Sequence, residues 1–219
     1  TQGRKFVPSQ ANTGQYKFEN CMVELQKKDV TISLGEILII YPEQNLIERF
    51  FRPNSNGNTI LLTEQCDQLC VMCSQPPKRK DYLHWELYLE AASLIPEGSI
   101  LGISGGEPTL YKERLLDFLM ECVEANSSLQ IHVLTNAQHF DEADIEKLTS
   151  LNKNVLWGVP LYSSDHVEHD NIVGKKGAFE NLLQGFNSLL KSGSRVELRT
   201  VLLQKNYPSL AKLSKFVAR

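Results

Sequence analysis

The chain has 219 residues, 42% of them hydrophobic and 22% charged, enough to bury the core of one principal globular domain with a small appendage. Its 23 basic residues against 26 acidic ones leave a net charge of −3, and the tight basic clusters after residue 58, Lys78-Arg-Lys80 and Lys175-Lys176, read as solvated loops, which disfavours a nucleic-acid substrate without excluding one. No apolar stretch reaches the ~20 residues that cross a bilayer, and five cysteines are an odd number in a chain too large to need disulfide staples, so a reducing cytoplasm is expected.

The opening residues, Thr1 to Phe6, lack the apolar stretch of a secretion signal, and without a leading methionine the chain reads as a fragment or a processed product. Residues 1–18 are polar and rich in Gly, Gln and Asn, without clear periodicity. Ile37–Tyr41 and Leu46–Phe51 have the apolar character of two strands joined through Pro42-Glu-Gln-Asn45. Pro53-Asn-Ser-Asn-Gly-Asn58 is turn-rich, so residues 1–57 read as an N-terminal β-rich extension and 58–219 as the main domain. Strands are then predicted near 59–63, 99–104, 129–135, 154–161 and 195–203, alternating with helices near 80–95, 110–125, 140–150, 177–191 and 208–218. Five βα units in succession imply an α/β fold with a parallel sheet covered by helices. Ligands of such sheets gather beyond the carboxyl ends of the strands.

Three of the cysteines, Cys66, Cys70 and Cys73, follow the first of these strands in the spacing C-x3-C-x2-C. A closed zinc site or an ordinary cubane cluster takes four protein ligands, so three thiolates in one loop leave one coordination position for something other than protein. The same offsets would line one face of a helix, but Asp67, Gln68 and Gln75 are polar and Pro76-Pro77 ends any helix. Cys21 and Cys122 read as ordinary thiols, the latter on the apolar helix face from Leu115 to Val123. The second strand ends in Ser104-Gly-Gly-Glu-Pro-Thr-Leu110. There two glycines allow close backbone approach to a ligand and expose amides, and the Glu107 carboxylate can pair with an ammonium. A plain strand-to-helix turn, with Pro108 at the helix start, is the alternative.

C-x3-C-x2-C after one strand with Gly-Gly-Glu-Pro after the next resembles the radical S-adenosylmethionine superfamily, over roughly residues 58–219. That resemblance implies a partial (βα)6 barrel, of which five units are visible and the sixth is missing. It also implies a [4Fe–4S] cluster on Cys66, Cys70 and Cys73, with S-adenosylmethionine bound at the open iron and its amino group met by Gly105, Gly106 and Glu107. The expected chemistry is reductive cleavage of that cofactor to a 5′-deoxyadenosyl radical, with an external one-electron reductant of flavodoxin or ferredoxin type. By the same similarity Asn136 approaches the cofactor, Ser163 meets the ribose hydroxyls and Arg199 its carboxylate, while His169 and Asp170 cap or brace their loop. Met72 stands where the family usually places an aromatic residue against the adenine, and Leu134-Thr-Asn-Ala137 where it often has Thr-Asn-Gly.

The run from Leu61 to Lys78, above all Met72-Cys-Ser-Gln-Pro-Pro77, is most similar to the radical maturases of His-Xaa-Ser repeat peptide systems. A peptide substrate is therefore expected, with no nucleic-acid or membrane partner, and the chain shows no further cysteine cluster for a second iron–sulfur centre. The alternatives are a radical enzyme acting on a small molecule or RNA base, and a non-catalytic metal-binding scaffold.

Overall fold

Short apolar runs separated by amphipathic stretches give this chain its order: each run is too short for a helix and buried on one face, so it pairs with its neighbour under a layer of helices. The computed structural model describes the backbone of residues 9–12, 15–18, 21–24, 32–78 and 83–218, with the side chains of Glu24 and of the last two ranges. Strands β1 (Ser9–Asn12), β2 (Gln15–Phe18) and β3 (Cys21–Glu24) form a small antiparallel sheet, and β4 (Ile37–Tyr41) pairs antiparallel with β5 (Leu46–Phe51). The first three strands were not expected from a polar segment. Their sequence signal is the two-residue spacing of Tyr16 and Phe18, too short to stand out.

Five parallel strands form the central sheet in the order β10-β9-β8-β7-β6: β6 (Thr59–Thr63), β7 (Ile100–Gly105), β8 (Gln130–Leu134), β9 (Val155–Pro160) and β10 (Arg195–Arg199). Helices α1 (Trp85–Ser93), α2 (Lys112–Ala125), α3 (Ile145–Leu151), α4 (His166–Val173), α5 (Ala178–Lys191) and α6 (Leu210–Val217) follow in turn. This is the expected open α/β arrangement of five βα units. The helix predicted over 80–95 begins only at Trp85: residues 83 and 84 are irregular, and 80–82 lie outside the described residues.

Two boundaries differ from expectation for local reasons. The last strand stops at Arg199 rather than 203, because Asn206 turns the chain: its Nδ2 donates to the carbonyls of Tyr162 and Val201, and its Oδ1 accepts from Leu203 N. Helix α4 occupies what reads as a loop. Asp165 caps it by accepting from Glu168 N at 2.9 Å, and Gly174, at φ 67°, ends it in the left-handed conformation that glycine adopts without strain.

One face of the sheet carries Ile60, Leu62, Leu101, Ile103, Ile131, Val133, Val155, Trp157 and Val159, all buried beneath the helices. Ile37, Ile39, Phe50 and Phe51 belong to the same core, so the β4–β5 hairpin packs onto α1. The linker 53–58 is an ordered turn that Asn58 holds through Arg52 and Ser55. The other face of the sheet presents Ser104, His132, Leu134, Leu156, Arg195, Glu197 and Arg199, none of them fully buried. Because the strands are parallel, the segments that follow β6, β7, β8, β9 and β10 meet at one edge. The motifs lie there.

Candidate active site

The segment after β6 is an irregular loop, as Pro76 and Pro77 dictate, and it displays three free thiols. Cys66 and Cys70 are half-buried and Cys73 is exposed. Cys73 N donates to Cys70 O at 3.0 Å, which turns the chain between the last two cysteines. Burial pushes the Cys66 thiol up to about 11, against the opposing hydrogen bond from the Gln68 backbone, and burial also raises Cys70. A metal that replaces the proton removes that penalty. Three soft sulfur donors on one short loop fit an iron–sulfur cluster and not an oxygen-seeking cation.

The Gly-Gly-Glu segment is bound directly to this loop. Gly106 N donates to Thr63 O at 2.8 Å and Glu107 N to Gln65 O at 2.7 Å. A Cβ on Gly105, whose φ is 142°, would lie 2.2 Å from Thr63 O, and one on Gly106 would lie 1.9 Å from Gln65 O and 3.1 Å from Cys66 Cβ. The glycines therefore admit the cysteine loop itself, and the amides of Gly106 and Glu107 are engaged with it, where exposure to a ligand was expected. Glu107 is 1% exposed, and its carboxylate accepts from Thr109 N, Thr109 Oγ1, Thr135 Oγ1 and Asn136 N at 2.5–2.8 Å. Burial pushes this carboxyl up against those four hydrogen bonds. In this geometry Glu107 braces the ends of β7 and β8.

Three other residues expected at the cofactor make contacts within the protein. Asn136 is 6% exposed and bonded inside the protein, its Nδ2 to Asp67 Oδ1 at 2.9 Å and its Oδ1 to Gln138 N at 3.1 Å, so it links two loops. Ser163 is fully buried, donates to Glu168 Oε2 at 2.5 Å and accepts from Asp165 N. Met72 packs with Cys70 and Leu203 against Tyr162, Ile172, Val173 and Ala178, so the thioether is partly committed to an apolar cluster. Arg199 remains exposed on the open face, paired with Glu197 at 2.6 Å and 3.4 Å from His132 Nε2. His169 and Asp170 brace as expected: His169 Nδ1 accepts from Tyr162 N, and Asp170 accepts from Gly177 N and Phe179 N at the start of α5.

These thiols and glycines sit together at the carboxyl edge of a parallel sheet, and the Radical SAM superfamily profile matches residues 60–217. The chain belongs to the radical SAM superfamily. S-adenosylmethionine and a [4Fe–4S] cluster are the characteristic cofactors of that family. A relative of the same kind is the antilisterial bacteriocin subtilosin biosynthesis protein AlbA of Bacillus subtilis (strain 168), 23% identical over 154 residues, which are 68% of this chain and 33% of AlbA. Among solved structures, Streptococcus suis SuiB superposes with a TM-score of 0.58 at 20% identity over 72% of this chain and 36% of SuiB. Native anSMEcpe with bound AdoMet superposes at 0.55 and 17% identity, over 71% of this chain and 48% of that one. The chain thus spans about a third to a half of the length of these relatives.

Within this radical SAM fold several groups that hold the site were not legible in advance. Asp67, between two of the cysteines, accepts from Asn136, His139 and Lys175. Thr109 and Thr135 satisfy Glu107, and Glu168 receives both Ser163 and Ser209. The charged ones carried a weak signal: an aspartate inside a cysteine motif needs a partner if it is buried, but the sequence does not say which. Among the described residues, no helix is long and apolar enough to cross a membrane.

Proposed function

We propose that Cys66, Cys70 and Cys73 hold a [4Fe–4S] cluster, that S-adenosylmethionine binds beside it, and that the enzyme acts on a ribosomally made peptide. When bound, the cluster supplies the electron that splits S-adenosylmethionine to a 5′-deoxyadenosyl radical able to take hydrogen from substrate. The chain's own part is positioning. The observation that carries the reading is the pair of backbone bonds, Gly106 N to Thr63 O and Glu107 N to Gln65 O, which fix the Gly-Gly-Glu end of β7 against the thiol loop. With the motif's amides turned to that loop, the carbonyls of Gly105 and Gly106 are the groups it offers to the methionyl ammonium. Glu107 keeps those carbonyls in place from below, Met72 borders the adenine, and Arg199 meets the carboxylate from the open face of the sheet. Water is excluded on the core side by Tyr162, Ile172 and Val173.

A peptide substrate is supported by what the relatives handle. SuiB has been solved bound to precursor peptide SuiA, and anSMEcpe with a Cp18Cys peptide. The open polar face of the sheet, with Arg195, Glu197, His132 and Arg199, gives a peptide backbone donors and acceptors to meet. The test is anaerobic reconstitution of the full-length protein with iron and sulfide, then reduction with S-adenosylmethionine and the peptides encoded beside its gene. Visible cluster absorbance, 5′-deoxyadenosine and a fixed mass change in one peptide are expected. Loss of the first two would overturn the radical reading; their presence without any peptide change would overturn the substrate alone.

A further inference from the structure

Asp67 lies between two of the cysteines, and its carboxylate gathers three side chains from two other parts of the fold. Oδ1 accepts from Asn136 Nδ2 at 2.9 Å, while Oδ2 accepts from Lys175 Nζ and lies 3.2 Å from His139 Nε2. Asn136 and His139 come from the segment after β8. Lys175 comes from the connection between α4 and α5, more than a hundred residues away in the chain.

The arrival of Lys175 is built into the docking of α4. Leu69 N donates to Val173 O and Val71 N to Ile172 O, both at 2.9 Å, so the cysteine loop satisfies carbonyls that the last turn of this helix leaves free. Gly174 then lies against the loop so closely that a Cβ would be 2.6 Å from Leu69 O. The next residue is Lys175. Its side chain is 27% exposed and that of Asp67 20%, so their charges meet in a medium less screening than water.

Asp67 is the residue directly after Cys66 and lies within the span that Cys70 closes, so its charge is built into the thiol loop. An uncompensated carboxylate here would oppose both the thiolates and any further electron placed among them. A cation within hydrogen-bond reach offsets that field, whereas removing Lys175 leaves the half-buried carboxylate with Asn136 and His139 but without its lysine.

We propose, resting on the cluster assignment above, that Lys175 and Asp67 form a positioning pair in which Lys175 neutralises the carboxylate built into the cysteine loop, setting how readily a cluster held there accepts an electron. Neither residue touches the reacting atoms; both act through the loop.

The test reads the midpoint potential and the iron content of the reconstituted full-length protein. Lys175→Met is expected to shift the potential to more negative values, Asp67→Asn to more positive ones, and the double variant to return it near the wild-type value. Lys175→Arg, which keeps the charge, stays with the wild type. A purely structural role would move both single variants the same way, and that result, or no shift, overturns the proposal. Should Lys175→Met lose its iron, the double variant regains it, because no charge is left unpaired; a double variant that also loses iron overturns the pair. A wild-type protein that takes up no cluster overturns the functional reading along with it, while unmoved potentials in a protein that cleaves S-adenosylmethionine overturn the pair alone.

Discussion

A methyl group on Gly106 would enter the space of the Gln65 carbonyl oxygen, 1.9 Å away, and press on Cys66. The two nearest neighbours are backbone atoms of Gln65, which cannot swing aside as a long side chain can, so the cysteine loop itself must move. Gly106→Ala is therefore expected to destabilise the protein by about 2–3 kcal/mol, in the range of overpacked interior sites, and to lower iron uptake in parallel. Urea denaturation and iron analysis of the reconstituted variant check both; an unchanged denaturation midpoint with full iron would mean that the loop is not fixed by this contact. The Gly-Gly pair was visible in the sequence, but its partner was not. Glycine announces a close approach without saying what approaches, and here it is the loop one strand away. Glu107 shows the same limit: its carboxylate was legible as a group needing partners, and the two threonines that occupy it are ordinary residues until β7 and β8 pair.

At the scale of single elements, α4 is the piece whose contribution exceeds its sequence signal. Eight residues with weak periodicity dock on the cysteine loop by their last carbonyls, and the helix is anchored from within by His169, buried between Tyr162 and Phe179. Burial holds His169 below its ordinary value of 6.5, with Asp170 and Glu180 pulling the other way. The unfolded chain thus binds the proton more readily than the folded one. Stability is complete above about 6.5 and falls as pH drops from there towards the depressed folded value, by at most ~1.4 kcal/mol per pH unit for one such group. His169→Gln keeps an acceptor for Tyr162 N and removes the titration. Denaturation curves at pH 7.5 and 5.5 are expected to separate less in this variant than in the wild type, and equal separations would assign the pH effect to other groups. Elements with strong alternation, such as β7, β8 and β9, were legible to within a residue or two. Helix α4 and the early end of β10 were not, because capping by Asp165 and the turn held by Asn206 depend on which backbone groups lie nearby.

For the molecule as a whole, the division of labour between the two faces of the sheet matters most. One face is sealed under the helices and supplies stability, while the other keeps Arg195, Glu197, His132 and Arg199 in contact with solvent. Arg199 is exposed and its protein partner is also on the surface, so Arg199→Ala should change stability by no more than about 0.5 kcal/mol. If it meets the cofactor carboxylate as proposed, the same variant raises the KM for S-adenosylmethionine about tenfold, the ~1.4 kcal/mol scale of one charge-assisted bond. Thermal unfolding and 5′-deoxyadenosine formation at varied cofactor concentration separate the two effects, and an unchanged KM would return Arg199 to a surface ion pair. The sequence by itself determined the succession of five βα units, the three-thiol loop after the first strand and the family, because apolar periodicity and cysteine spacing are local and survive without knowledge of contacts. Only the tertiary structure decided that Asn136 and Ser163 are internal braces, that the glycines face a loop, and that Lys175 closes on Asp67. Those roles depend on which polar groups burial leaves in need of partners, and partners distant in the chain meet only when the strands are laid side by side.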